Sequence, residues 1–131
     1  MSDREHAEAL LHLAARDHRA LVAMAGADSF ADEIVGFHAQ QAVEKALKAW
    51  LATDGHPYDR THDLSALLGA LEHHGHDVSG LRPLVRLNVF AVRFRYEALG
   101  PGAPLAGRIG IPQEVQAVIA RVRTYLAETD A

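Results

Sequence analysis

The chain has 131 residues, of which 49% are hydrophobic, no cysteine and a formal net charge of −4. This length suits one domain with a buried core, and the lack of cysteine excludes disulfides, thiolate metal sites and cysteine nucleophiles. The acidic balance argues against broad, charge-driven DNA binding. No apolar run of about 18 residues is present to cross a membrane, and the charged N-terminus is not typical of a secretory signal. We therefore expect a cytoplasmic protein with a single domain over residues 1–131 and no membrane partner.

Apolar residues recur at helical spacing through most of the chain, and no stretch has the alternation of a strand. Gly26 and Gly55 end the first two predicted helices, Asp28 or Ser29 is the expected cap of the second, and Thr61 or Asp63 that of the third. The predicted helices cover residues 3–25, 30–53, 64–73, 81–98 and 112 onward. This pattern predicts an all-α fold, an antiparallel helical bundle of four long helices plus one short helix.

Two stretches between helices have distinctive compositions. Residues 99–110, LGPGAPLAGRIG, are rich in Gly and Pro and are predicted to be mobile. His73, His74 and His76 surround the turn at Gly75, a spacing that invites a metal interpretation. No carboxylate is arranged beside them, so we expect a solvated helix C-terminus, where cationic character is favourable, and no metal site.

The second predicted helix contains the stretch FHAQQAVEKALKAWL at residues 37–51. Its apolar residues, four of them alanine, fall on one arc of the helical wheel, and the opposite arc is polar. Phe30, Ile34 and Phe37 nevertheless lie on the polar side, and the fourth predicted helix also has two apolar sides. Helices with apolar residues on more than one side are expected to pack both within their own bundle and against a second subunit. We therefore predict a homodimer with these two helices at or near the interface.

Three groups of polar side chains are candidates for binding phosphate. Arginine offers a planar fork of donors, and a helix start supplies free amides. The groups are a file on the second helix (His38, Gln41, Lys45 and Lys48), the loop before the third helix (Arg60 and His62), and the end of the fourth helix (Arg93, Arg95 and Tyr96).

Two of these groups also have a purely structural interpretation. Lys45 and Lys48 can pair with Glu44 and other local acids. Arg95 lies between two apolar sides of its predicted helix, and a buried guanidinium needs a partner. That partner is Glu44, Glu97 or a ligand phosphate.

Three stretches in this order resemble the HEPN (higher eukaryotes and prokaryotes nucleotide-binding) domain family: FHAQQAVEKALKAWL, RTHDLSALL and RFRYE. The likeness covers about residues 30–97. It implies a compact helical domain that is usually a homodimer and is often encoded beside a small nucleotidyltransferase, with which it forms a toxin–antitoxin or related module.

The resemblance also bears on catalysis. Many members are metal-independent ribonucleases with an arginine followed, four to six residues later, by a histidine. That motif is absent here, because the last histidine, His76, precedes every arginine of the fourth predicted helix. Where many relatives read Arg-Tyr-Pro, this chain has Arg95-Tyr96-Glu97. The departures favour a non-catalytic domain that binds nucleotide or RNA phosphate and needs no cofactor. The alternatives are a ribonuclease toxin, with His62 or His38 as acid or base, and a dimeric scaffold.

Overall fold

The computed structural model describes residues 2–92 and 104–129, and this part of the chain contains helices and no strand. The predicted all-α bundle is thereby confirmed. Three helices are long, one is short, and two further stretches have 3₁₀ geometry. They are α1 (Asp3–Ala25), α2 (Asp32–Thr53), α3 (Leu64–His73), the 3₁₀ helix (Ser79–Val92), the 3₁₀ turn (Arg108–Gly110) and α4 (Ile111–Thr129). Across the two described ranges, no helix combines the length and apolar character that a membrane span requires.

Helix α2 holds the central position, because it contacts each of the other helices described. Its predicted apolar arc is buried, and Ala39, Ala42, Ala46 and Ala49 have no exposed surface. Side chains this small let neighbouring helices approach closely. The second helix therefore positions its polar side chains on a rigid, fully packed element.

The 3₁₀ helix occupies the first part of the predicted fourth helix; residues 93–98 of that prediction lie outside the described residues. Its inward side is formed by every third residue, namely Leu81, Leu84, Leu87 and Phe90. Three residues per turn is the 3₁₀ period, so this spacing explains why the segment differs from the predicted α-helix. The ring of Phe90 packs directly on Gly36 of α2, and a Cβ at this glycine would lie only 2.5 Å from the ring.

Helix α2 begins two residues later than predicted, after Ala31, and neither Asp28 nor Ser29 caps it. Instead, Asp32 accepts hydrogen bonds from the Leu105 amide at 2.8 Å and from Arg108 at 2.6 Å. The hydrogen bond from that amide, followed by the one from the guanidinium, holds the pKa of Asp32 below its ordinary value. The start of α2 is thus tied to the segment before α4.

The described end of the predicted mobile loop is anchored. Leu105 is buried, and Arg108 donates to the carbonyl oxygens of Met24, Ala25 and Ala27 at 3.1, 2.9 and 2.7 Å. The last carbonyls of a helix lack partners within it, so the guanidinium satisfies the C-terminal end of α1. These contacts tie Leu105 and Arg108 to the rest of the chain, and residues 99–103 of the predicted mobile loop lie outside the described residues.

Candidate functional site

The polar file on α2 is divided by two acidic residues into two clusters. The Asp17 cluster consists of Asp17 on α1 with His38 and Lys45 on α2. The Glu44 cluster consists of Glu44, Gln40 and Lys48 on α2 with His62 from the loop before α3. Both clusters lie along the face on which the sequence places its phosphate-binding candidates.

In the Asp17 cluster, each carboxylate oxygen has its own partner. Oδ2 lies 2.6 Å from Lys45 Nζ, and Oδ1 lies 3.1 Å from His38 Nδ1. Because a carboxylate only accepts, His38 donates through Nδ1, which leaves Nε2 for another partner. All three side chains are partly buried, with exposed fractions of 14% for Asp17, 24% for Lys45 and 30% for His38. The carboxylate therefore holds one lysine and one imidazole in fixed positions.

A pocket of about 270 Å³ opens between these side chains, and Leu13, Arg16 and Ala20 of α1 complete its wall. Arg16 and Lys45 bring two positive charges to it, against the single negative charge of Asp17. The pocket thus has an excess of positive charge, although the chain as a whole is acidic. A fork of guanidinium donors beside an ammonium is suited to a phosphate or carboxylate group.

The Glu44 cluster is more deeply buried. Glu44 is 4% exposed and Gln40 is fully buried. Glu44 accepts from Gln40 Nε2 at 3.0 Å, from His62 Nδ1 at 2.9 Å and from Lys48 Nζ at 3.0 Å. Burial raises the pKa of Glu44, but the hydrogen bonds from Gln40, His62 and Lys48 together outweigh it and keep the pKa below its ordinary value. Glu44 is therefore an ionised, structurally partnered group.

Some of the remaining predicted site residues lie near the Glu44 cluster, and others lie outside the described residues. Gln41 donates to Gln40 Oε1 at 2.7 Å, which links it to the Glu44 cluster. His62 keeps 68% of its side chain exposed despite its bond to Glu44, and Arg60, two residues earlier, is also exposed. The structure thus brings His62 beside α2, with Arg60 in the same loop. The last three candidates, Arg93, Arg95 and Tyr96, lie outside the described residues.

Asp17 and Arg16 are the site residues that sequence reasoning missed. A signal for Asp17 was present, because Leu10, Ala14, Asp17 and Leu21 recur at spacings of four, three and four on the buried side of α1. An acid within an apolar stripe needs a partner from a neighbouring helix. Arg16 has no such signal, because an exposed arginine on a helix is ordinary. Glu44 was recognised only as a possible partner for the lysines and for Arg95, and its burial was not predicted.

The predicted solvated histidines behave differently from one another. His76 is only 16% exposed and lies 2.7 Å from Asp54 Oδ2, so for this residue the expectation of a solvated helix end is wrong. The chain turns back after α3 and carries its imidazole against the end of α2. The ring of His74 stacks on that of His56, with centroids 3.4 Å apart. Among residues 2–92 and 104–129, no three or more acidic or histidine side chains are grouped to hold a metal ion.

A family model described as HEPN domain matches residues 7–128, which is nearly the whole chain. The match includes all of α2, the loop before α3 and the whole of α3. No match was found among curated proteins or among solved structures.

Proposed function

The chain belongs to the HEPN domain family, and we propose that it binds the phosphate of a nucleotide or of RNA along the polar face of α2. The observation that carries this proposal is the pocket of the Asp17 cluster, where Arg16 and Lys45 supply two cations and His38 a free ring nitrogen around one carboxylate. Asp17 orients Lys45 and His38, and a phosphate would bridge the outward-facing donors.

A phosphate chain longer than one nucleotide would continue along α2 toward the Glu44 cluster. There Lys48 is committed to Glu44, but His62 retains Nε2 and most of its surface. Arg60 stands beside it in the same loop, and Gln41 lies between the two clusters along the helix. In this proposal the Asp17 cluster is the first phosphate contact, the loop is the second, and Arg93, Arg95 and Tyr96 supply further contacts.

Binding can be tested with a fluorescently labelled single-stranded RNA whose anisotropy is measured over a range of salt concentrations. Removing one phosphate-binding cation should make the slope of log K against log salt shallower by about 0.7. We expect Lys45→Gln and Arg60→Gln each to weaken binding and reduce this slope. Arg19→Gln, the same charge change at an exposed position on α1 outside the pocket lining, is the control and should bind as wild type does. Unchanged binding by Lys45→Gln would contradict the proposal.

One observation favours ribonuclease activity as a second candidate function. His38 is held through Nδ1 by Asp17, which is how an acid commonly orients a catalytic imidazole and leaves Nε2 for proton transfer. The missing arginine–histidine motif argues the other way. With chelator present, the binding proposal predicts intact RNA after incubation with purified protein. Cleavage by wild type that His38→Gln abolishes would instead establish the ribonuclease.

We further propose that the chain forms a homodimer and acts beside a small nucleotidyltransferase in a toxin–antitoxin-like module. Support for a dimer comes from large apolar side chains left exposed near α2 and on the 3₁₀ helix: Phe30 at 38%, Ile34 at 37% and Val89 at 46%. A stable dimer should bury at least about 1,000 Å². Light scattering that gives a monomer mass at micromolar concentration would contradict it. A dimer that binds no RNA would leave only the scaffold function.

A further inference from the structure

A third polar group joins three elements at the C-terminal end of α2. Asp54 follows the last residue of α2, His76 lies in the turn after α3, and Tyr125 is on α4. Tyr125 Oη donates to Asp54 Oδ1 at 2.5 Å, and His76 Nε2 lies 2.7 Å from Asp54 Oδ2. Both carboxylate oxygens are therefore in use, and the phenol and the imidazole are fixed in orientation.

The contacts within this group keep Asp54 ionised and Tyr125 neutral. Burial raises the pKa of Asp54, but the hydrogen bonds from Tyr125 and His76 prevail, and the pKa lies below its ordinary value. The same hydrogen bond, together with burial, raises the pKa of Tyr125 to about 12. The tyrosine therefore stays a neutral hydroxyl and adds no negative charge to its surroundings.

His76 and Tyr125 line a cavity of about 600 Å³, which is within the size range of small-molecule sites. Trp50 also lines the cavity, and the guanidinium carbon of Arg121 stands 4.8 Å from the centroid of the indole ring. Arg121 also donates to the Asp77 carbonyl at 2.6 Å. The guanidinium is thus held in place from two sides while the residue remains exposed toward the cavity.

We propose that this cavity binds a small planar ligand that carries an anionic group, either a carboxylate or a phosphate. A guanidinium stacks readily on flat rings, and here the exposed Arg121, held over Trp50, lines the cavity. Ala117 and Ala120 give that ring a smooth apolar wall on α4. The anionic group would accept hydrogen bonds from Arg121. Glu128 also lines the cavity, and its charge would weaken the binding of an anion.

The indole N–H of Trp50 provides the readout for a binding test. The chain contains one tryptophan, so this group gives a single resonance in a proton–nitrogen NMR spectrum. The N–H is buried and has no hydrogen-bond partner among the described residues, which makes its resonance sensitive to a nearby acceptor or ring. The wild-type chain is titrated with 2-naphthoate, 2-naphthyl phosphate, the neutral 2-naphthamide, the non-planar octanoate and inorganic phosphate.

The proposal predicts a saturable shift with 2-naphthoate or 2-naphthyl phosphate, and the stronger of the two identifies the preferred anion. Loss of the charge in 2-naphthamide should weaken binding about tenfold or more. Octanoate and inorganic phosphate should produce no saturable shift. Equal affinity for naphthoate and naphthamide, equal affinity for octanoate, or no shift with either planar anion would overturn the proposal.

Three substitutions on α4 locate the ligand. Arg121→Gln should weaken binding about tenfold or more, whereas Glu128→Gln should tighten it about two- to fivefold. Arg123→Gln is the matched control, because Arg123 is an exposed arginine of the same helix that does not line the cavity. Unchanged affinity in both Arg121→Gln and Glu128→Gln would overturn the proposal.

Two further variants serve as an alternative to Arg121→Gln and as a control for the other binding site. Should Arg121→Gln fail to fold, Ala120→Glu introduces a repelling charge at an exposed lining position, and it must weaken binding for the proposal to stand. Lys45→Gln must leave naphthoate binding unchanged, which separates this cavity from the Asp17 cluster. A loss of naphthoate binding in Lys45→Gln would place the ligand on the α2 face and refute this inference.

Discussion

Replacing Glu44 by glutamine removes a buried charge on which three donors converge. The side chain keeps its shape, but Lys48, whose side chain is 13% exposed, loses its counter-charge. Removing one partner of a buried ion pair costs about 3–5 kcal/mol. Because Lys48 retains some contact with solvent, we expect the lower end of this range, about 3 kcal/mol of unfolding free energy at pH 7.

The assay is equilibrium unfolding in urea, applied to wild type, Glu44→Gln, Lys48→Met and the double variant. The double variant removes both charges together and leaves neither without its partner. Its loss of unfolding free energy should therefore be smaller than the sum of the two single losses, and this difference, the coupling energy, should be about 1–3 kcal/mol. Glu72→Gln is the control, because its pair with Arg82 is exposed on both sides and such pairs contribute no more than about 1 kcal/mol.

The stabilisation by Glu44 also depends on pH. Its pKa in the folded chain lies below the ordinary value of 4.5, so the ionised carboxylate stabilises the fold above about pH 4.5. That contribution is lost as the pH falls through the folded pKa. The difference between wild type and Glu44→Gln should therefore shrink on acidification. A loss below about 1 kcal/mol at pH 7, or a loss that acid does not reduce, would show that the ionised Glu44 does not stabilise the fold through Lys48.

Three further substitutions test the packing of α2 and the hydrogen bonding at the start of α3 in the same unfolding assay. Gly36→Ala should lower the free energy of unfolding by about 1–3 kcal/mol, because its Cβ would overlap the buried ring of Phe90. Gly69→Ala is the control: no atom lies within 4 Å of its Cβ, so this change should be neutral or stabilising by up to about 1 kcal/mol. Equal effects at the two glycines would contradict the packing of Phe90 on Gly36. Asn88→Ala should cost about 0.5–2 kcal/mol, because Asn88 accepts from the Leu64 amide at 2.9 Å at the start of α3; an unchanged free energy of unfolding would show that this hydrogen bond contributes nothing.

Most of the fold is predictable from local signals. Gly26 and Gly55 follow the ends of α1 and α2 closely, and Asp63 caps α3 by accepting from the Ser65 amide, as predicted. These features depend on residues close in sequence, which is why composition and periodicity suffice.

The features that were missed depend on interactions between distant residues. Asp17 and Lys45 are 28 positions apart, Arg108 reaches back to the end of α1, and Asp54 meets Tyr125 across 71 positions. A helical wheel shows which side of a helix is polar, but not which polar residues a neighbouring helix will cover. Glu44 is such a residue, since it lies on the polar side of α2 but is buried, and His62 from the loop before α3 contacts it.

We propose that the α2 face receives a phosphate at the Asp17 cluster. The most direct measurement is a proton–nitrogen NMR titration of the assigned chain with uridine monophosphate, followed by the same titration with Lys45→Gln. We predict saturable shifts centred on Arg16, His38 and Lys45 that weaken as salt is raised and disappear in the variant. Shifts confined to the Trp50 cavity, or none in a chain whose spectrum shows it folded, would contradict the claim.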